Sequence, residues 1–400
     1  MGQFPYDVCV VGGCGHVGLP LALAFARAGL NVSVYDTNDR AVEVVRSGRM
    51  PFLERGAEPI LREVIGRSLE VANDPALVTR SKHVVVVIGT PVDEHLNPTF
   101  HTMRRFFVKL RPHLVDGQCV ILRSTVAPGT TEKIHALLSS GPGPDLKVAF
   151  CPERVAEGQA LEEFATLPQI VSGCGEEAVS MAAELFGRIS PSLIRLTPLE
   201  AELTKIFTNV WRYIEFATAN QFLMIAADRG VEFYRIFEAM TRDYPRMAGL
   251  PKGGFAAGPC LFKDTMQLAA ASDNNLLLGH AAMLINEGLP SFLVRRLKES
   301  YPLDRMTVGV LGMAFKANSD DPRESLSYKL RKVLEAEAAG VLCTDVYIDD
   351  PSFLTLDEVL ERSDLLIVGA PHREYRTIEP PASKPVIDIW NLFGKGTALL

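Results

Sequence analysis

An apolar strand that runs straight into a glycine-rich turn and a helix, an acid at the tip of the next strand, and the return of that alternation after residue 300 predict an α/β chain. The expected architecture is two Rossmann-like, doubly wound domains joined by a long central helix and a helical middle region. Single cores stop growing well short of 400 residues. The spacing therefore assigns a first α/β domain to 1–198, a helical middle to 199–300 and a second α/β domain to 301–400.

Residues 7–11 (Asp-Val-Cys-Val-Val) read as a buried strand, followed by Gly12-Gly13-Cys14-Gly15-His16-Val17-Gly18 and a helical run from Leu19 to Ala28 that Gly29 closes. A second strand, Asn31 to Tyr35, ends in Asp36. Apolar strands at Val84–Ile88, Cys119–Leu122 and Val148–Phe150 continue the parallel pattern. Between Pro198 and Gly230, Leu203, Ile206, Phe207, Val210, Ile214 and Ala217 recur at helical spacing, which predicts one helix over Leu199–Arg229. At 1.5 Å per residue such a helix reaches about 45 Å, long enough to join two domains and to serve a partner subunit.

Beyond residue 300 come strand Thr307–Leu311, helix Ser325–Ala339, and strands Cys343–Ile348, Leu365–Val368 and Val386–Ile389. Ser363-Asp364-Leu-Leu-Ile-Val-Gly369-Ala370-Pro371 echoes Ser81-Lys82-His-Val-Val-Val-Val-Ile-Gly89-Thr90-Pro91, so the second domain repeats the wiring of the first. It carries no G-x-G-x-x-G after its first strand, which argues against a second dinucleotide.

The chain is 47% hydrophobic and 22% charged, a globular composition. Its net charge of −7 without a basic run argues against a nucleic-acid surface. The longest apolar runs read from the sequence fall far short of the roughly 18 residues a membrane helix needs, and the N-terminus lacks a basic-then-apolar signal or a myristoylation pattern. A cytoplasmic protein without membrane partners is expected. The seven cysteines (9, 14, 119, 151, 174, 260 and 343) show neither disulfide nor zinc spacing, and no metal is expected.

In G-x-G-x-x-G, Gly13 permits the turn, Gly15 lets a pyrophosphate approach the backbone, and Gly18 lets the helix pack on the strand. Asp36 is placed to accept from the adenosine ribose hydroxyls, which favours NAD over NADP, with Arg40 close enough in sequence to soften repulsion of a 2′-phosphate. Cys260 follows a turn rich in glycine and proline and opens an apparent helix, where the dipole and Lys263 favour a thiolate, and Lys263 and Asp264 share its helix face. From the residues alone Cys260 is either a nucleophile or a small inert residue. Lys205 and Asn209, one turn apart, are either a snorkelling pair or stabilisers of an oxyanion. Glu153 and Glu157 sit at a strand end where α/β sites are built, but paired acids also decorate surfaces; Ser124 and Thr125 leave another strand end as site residues or as turn formers.

Taken in order, the glycine turn, Gly89-Thr90-Pro91, Ser124-Thr125 with Pro128-Gly129-Thr130-Thr131, Pro152-Glu153, Glu202–Asn209, Gly258-Pro259-Cys260 with Lys263-Asp264, Gly312–Lys316 and Asp320–Ser325 resemble the nucleotide-sugar 6-dehydrogenase family. This family comprises the UDP-glucose and GDP-mannose dehydrogenases. The likeness is strongest to the UDP-N-acetylmannosamine branch.

The resemblance implies a four-electron oxidation of a sugar C6 alcohol to the uronate. Cys260 is then the nucleophile, Lys205 and Asn209 hold the oxyanion, Thr125 and Asp264 position a water that assists proton removal, and Glu153 activates water or relays protons for thioester hydrolysis. It places NAD on Gly13, Gly15, His16, Val17, Gly18, Asp36, Arg40, Thr90, Pro91, Ser124, Thr125, Lys263 and Arg323. The UDP-sugar would lie on Arg154, Val155, Glu157, Lys205, Asn209, Arg246, Phe255, Gly258, Phe315 and Lys316, with Arg246 often acting across a homodimer interface. Pro259 and Phe262 stand where many UDP-glucose enzymes carry an aromatic residue and a proline, so glucose-specific contacts are not transferred. A single-step β-hydroxyacid dehydrogenase would leave Cys260 and the second α/β domain without a role. A scaffold that keeps the fold without turnover would not need Cys260, Lys205, Asn209 and Glu153.

Overall fold

The computed structural model describes residues 4–90, 93, 100–256, 258–381 and 383–399. They form two compact units, Met1–Thr208 and Asn209–Leu400, with the boundary inside one 31-residue helix, Pro198–Asp228.

In the first unit, β1 (Tyr6–Val11), β2 (Val32–Tyr35), β3 (Leu69–Ala72), β4 (Ser81–Val86), β5 (Cys119–Leu122), β6 (Lys147–Phe150), β7 (Gln169–Gly173) and β8 (Leu193–Arg195) form one sheet in the order β3-β2-β1-β4-β5-β6-β7-β8. Only the β6–β7 pairing is antiparallel. Alternate side chains leave opposite faces of a strand. Val8 and Val10 thus enter a core with Leu23 and Phe25, while Cys9 and Val11 enter another with Phe107 and Ile134. Burial on both faces is why these strands read as continuous apolar runs. Strand order reverses between β1 and β4, and the glycine turn leaves β1 at that switch point.

In the second unit, β9 (Thr307–Leu311), β10 (Gly340–Thr344), β11 (Leu365–Val368) and β12 (Val386–Ile387) form a parallel sheet in the order β10-β9-β11-β12. The echo seen in the sequence is structural, because β4 and β11 each lie beside the first strand of their sheet. Gly12 (φ +73°) follows β1, and a Cβ there would meet the Val87 carbonyl oxygen at 2.3 Å. Its counterpart Gly312 (φ +90°) follows β9, where a Cβ would meet that of Ala370 at 2.5 Å. In both domains a left-handed glycine lets the first strand's exit pass under the loop leaving the neighbouring strand.

Some expected boundaries move. The strand expected at Cys343–Ile348 is Gly340–Thr344, because Asp345 ends it: Oδ1 accepts the Tyr347 and Ile348 N–H groups at 2.8 and 3.1 Å and bends the chain out of the sheet. The strand expected at Val84–Ile88 is Ser81–Val86. The long helix and the strands at 119–122, 307–311 and 365–368 lie as expected, to within one residue. Leu277–Ser300 is a 24-residue helix that by length and composition alone could cross a membrane, so the sequence reading missed an apolar segment of that length. Leu289, Leu293 and Leu297 of this helix pack with Val308, Val310, Leu330 and Leu334, and 44% of its apolar stretch is buried.

Candidate active site

The glycine turn has the shape of a cradle for a dinucleotide. A Cβ on Gly13 would lie 2.7 Å from the Val10 carbonyl oxygen, and one on Gly18 would lie 2.6 Å from the Gly13 Cα; one on Gly15 would meet nothing nearer than 3.9 Å. Gly13 and Gly18 therefore serve close packing, whereas Gly15 leaves open space above an exposed backbone. The helix Gly18–Arg27 has no side-chain cap and no acid in its first turn, so no charge of its own offsets the positive end of its dipole, which favours an anion there. Asp36 accepts from the Cys14 N–H at 2.9 Å and from the Asn38 N–H at 2.9 Å, which fixes its carboxylate beside the turn. Cradle, helix end and acid together fit NAD. His16 stacks on Phe52 with ring centroids 4.1 Å apart, and its Nε2 lies 3.5 Å from Glu157. Val17 is half-buried at the helix entry and Arg40 is exposed in the helix Asp39–Arg46.

The loops leaving β4, β5 and β6 are tied together. The Thr90 hydroxyl donates to the Thr125 carbonyl at 2.7 Å, and Ser124 Oγ donates to the Ile88 carbonyl at 2.6 Å and accepts the Ile88 N–H at 2.9 Å. Pro91 lies outside the described residues. Glu153 is held from all sides: Arg123 Nη2 and Nε donate to Oε2 at 2.5 and 3.1 Å, and the Arg154 and Val155 N–H groups donate to Oε1 at 2.6 and 2.8 Å. Arg123, fully buried, also donates to the Cys151 carbonyl and stacks on Phe186. Arg154 donates to the Pro168 carbonyl, and Val155 packs against the core.

Glu202 opens the segment Glu202–Asn209. On the long helix, three residues before half-buried Lys205, it accepts from the Gly129 N–H, the Thr131 N–H and the Thr131 hydroxyl at 2.6–2.7 Å. It thereby fastens the loop after Thr125 to the helix that carries Lys205. Burial pushes its carboxyl above the usual range despite those bonds. The signal in the sequence is an acid that shares a helical face with Lys205 and Asn209, at i+3 and i+7.

In the second unit, Cys260 is exposed and is the N-cap residue of the helix Leu261–Ala271. The other six thiols are buried or half-buried, and burial pushes each up, to about 12 at Cys9, Cys14 and Cys151 and about 11 at Cys174 and Cys343. One turn into the Cys260 helix, fully buried Asp264 accepts from Asn209 Nδ2 at 2.6 Å, and Lys263 Nζ lies 3.1 Å from its other oxygen. Asn209, Lys263 and Asp264 are thus brought together beneath Cys260.

The turn before the thiol is held from both ends. Asn220 donates to the Gly254 carbonyl and accepts the Gly254 N–H, and it donates to Asn286, all at 2.8–2.9 Å. The Phe315 ring lies over Gly258, where a Cβ would approach it to 2.4 Å, and the Gly258 N–H donates to the Glu324 carbonyl at 3.2 Å. Phe255 is buried against Trp390, and Lys316 Nζ lies 5.5 Å from the centre of its neighbour Phe315. Arg323 is exposed and paired with Asp321 at 2.5 Å. Arg246, also exposed, donates to Tyr244 Oη at 3.1 Å.

The UDP-glucose/GDP-mannose dehydrogenase family matches in three parts: its NAD binding domain over residues 6–190, its central domain over 199–287 and its UDP binding domain over 309–395. Among curated proteins, the UDP-N-acetyl-D-mannosamine dehydrogenase of Methanocaldococcus jannaschii is 29% identical over 93% of this chain and 87% of its own. Among solved structures, the UDP-D-ManNAc dehydrogenase of Pyrococcus horikoshii superposes with a TM-score of 0.88 at 27% identity, covering 96% of this chain and 95% of that one. A UDP-glucose dehydrogenase from Pyrobaculum islandicum gives 0.85 at 28% identity, covering 97% and 94%. The chain belongs to the UDP-glucose/GDP-mannose dehydrogenase family and is an NAD-dependent UDP-sugar dehydrogenase.

Proposed function

We propose that the enzyme oxidises the C6 alcohol of UDP-N-acetylmannosamine to the uronate by two hydride transfers, through a thiohemiacetal and a thioester on Cys260. The observation that carries this reading is the exposed Cys260 at a helix N-terminus, among six other thiols that burial makes inert. NAD, held at the Gly13–Gly18 turn and Asp36, supplies hydride acceptance in both oxidations. Lys205 and Asn209 hold the C6 oxygen as it loses its proton, and Thr125 and Asp264 hold the water that receives it. Cys260 Sγ adds to the aldehyde carbon, so the C6 oxygen becomes the hydroxyl of a thiohemiacetal whose oxidation leaves a thioester. Water, guided by Glu153, attacks that carbonyl; the C–S bond breaks, the carboxylate departs and the thiol regains its proton. Lys316 and Arg323 hold phosphate, and Arg246 reaches the sugar.

The mannosamine assignment is supported by the names of similar proteins and by Pro259 and Phe262 at the positions where the glucose enzymes differ. We assign the active form to a homodimer: Phe207, Trp211, Phe222 and Ile225 lie within one arc of the long helix and are 38–61% exposed, an apolar stripe suited to a second copy. A panel of UDP-N-acetylmannosamine, UDP-N-acetylglucosamine and UDP-glucose, scored by NADH per sugar, tests the reading. Two NADH per sugar without free aldehyde, with the mannosamine substrate preferred, is the expected result. Cys260→Ala should lose uronate formation; if it still yields two NADH per sugar at near the wild-type rate, the covalent route is wrong.

A further inference from the structure

The loop Gly312–Ser325 touches the turn that presents Cys260. Phe315 covers Gly258, and the Glu324 carbonyl accepts the Gly258 N–H. This loop does not hold its shape by local preference. Asn318 and Glu324 are left-handed at φ +55° and +53°, a conformation that asparagine tolerates but that is costly for glutamate, so surrounding contacts must impose it at Glu324.

The contact that holds the loop at Asn318 comes from a histidine outside the expected site. His372, fully buried, accepts the Asn318 N–H on Nδ1 at 2.9 Å. Since an N–H points at Nδ1, the ring proton belongs on Nε2, which lies 3.1 Å from Asp345 Oδ2 and donates to it. The same Asp345 oxygen accepts the Met313 and Ala314 N–H groups at 2.6 and 3.0 Å, at the start of the loop. The Arg373 N–H donates to Asn318 Oδ1 at 3.0 Å, closing the ring of contacts. Asp345 therefore holds the beginning of the loop and His372 its middle, while Phe315, between them, rests on the thiol turn.

We propose that His372 is a positioning residue for Cys260: in its Nε2–H tautomer it joins Asp345 to Asn318 and so seats Phe315 on Gly258, which fixes the turn from which the nucleophile projects. The proposal rests on the reading of Cys260 as nucleophile. It makes placement of the thiol depend on a residue that touches neither sulfur nor, in the expected site, the sugar.

The test measures alkylation of Cys260 by iodoacetamide in the ligand-free enzyme, followed by peptide mass spectrometry, with melting and circular dichroism as controls for folding. His372→Phe fills the space but can neither accept from Asn318 nor donate to Asp345. The alkylation rate should change by about tenfold, the scale expected when a buried amide loses its partner. The kcat for uronate should fall in step. His372→Asn, which keeps an acceptor near the position of Nδ1, should restore much of both. Phe315→Leu leaves the histidine contacts intact and removes the ring from Gly258, and it should shift alkylation in the same direction. Unchanged alkylation in a folded His372→Phe enzyme overturns the proposal, and so does unchanged alkylation in Phe315→Leu if the histidine variant does not fold. Failure of the nucleophile reading looks different: Cys260→Ala would keep making two NADH per sugar, whatever the alkylation rates of the other variants.

Discussion

Asp36 is already bonded to the glycine turn through the Cys14 N–H and to its own loop through the Asn38 N–H. A carboxylate fixed there welcomes ribose hydroxyls and repels a 2′-phosphate by up to about 4 kcal/mol at 4 Å and an effective dielectric near 20. NAD should therefore exceed NADP in kcat/KM by at least about tenfold. Equal efficiency with the two cofactors would remove Asp36 from this role. Glu202 allows a second test, on stability. Its folded carboxyl titrates above its ordinary 4.5 because burial disfavours the charge. The stability associated with the protonated form is thus full below the unfolded value and is lost as pH rises through the higher folded one. Glu202→Gln should flatten that part of the stability-pH curve, read as melting temperature from pH 4 upward. A variant with the wild-type slope would place the titration elsewhere. At this scale the sequence was legible where a residue type has few uses, as with the glycines and Cys260. Arg123, Glu202 and His372 were not legible as partners, because what each does depends on an atom 30, 71 or 54 positions away that only the fold supplies.

Among the elements, the long helix and the all-apolar strands could be read in advance because their periodicity spans both buried faces. β3 and β8 could not: Leu69-Glu70-Val71-Ala72 and Leu193-Ile194-Arg195 are short and lie at the sheet edges, where pairing with one neighbour decides the outcome. The helix Leu277–Ser300 has Gly288 and Pro290 in its interior, both unfavourable within a helix, and packing against the second sheet holds it together. Between these helices Asn220 and Asn286 form a buried polar bridge. Asn220→Ala strands the Gly254 N–H, the Gly254 carbonyl and Oδ1 of Asn286, at about 1–3 kcal/mol for each orphaned group. The enzyme should melt several degrees lower, and a melting temperature within a degree of wild type would show that water replaces the amide.

For the molecule as a whole, the apolar stripe of the long helix predicts at least a dimer in solution at micromolar concentration. Trp211→Glu should shift the mass measured by light scattering toward the monomer, and a monomeric wild type with full activity would rule the dimer out. Arg246→Ala should chiefly raise KM for the nucleotide sugar and leave that for NAD nearly unchanged; equal losses would point to general destabilisation. Both domains turn a glycine under the neighbouring loop and put an acid after the second strand, yet the two acids have different fates. Asp36 accepts one N–H on each oxygen, whereas Asp345 accepts two on Oδ1, from Tyr347 and Ile348, and three on Oδ2, from Met313, Ala314 and His372. With that acid so fully bonded within its own domain, the second copy of the topology should take no dinucleotide, and titration calorimetry should count one NAD per chain. Under the proposed function, two oxidations drawing on one berth would follow each other as a relay, with the half-oxidised sugar waiting while the cofactor is exchanged. In the proposed route the carbon is bonded to sulfur through that changeover and cannot drift away as a reactive aldehyde, so the thiohemiacetal would double as a mooring.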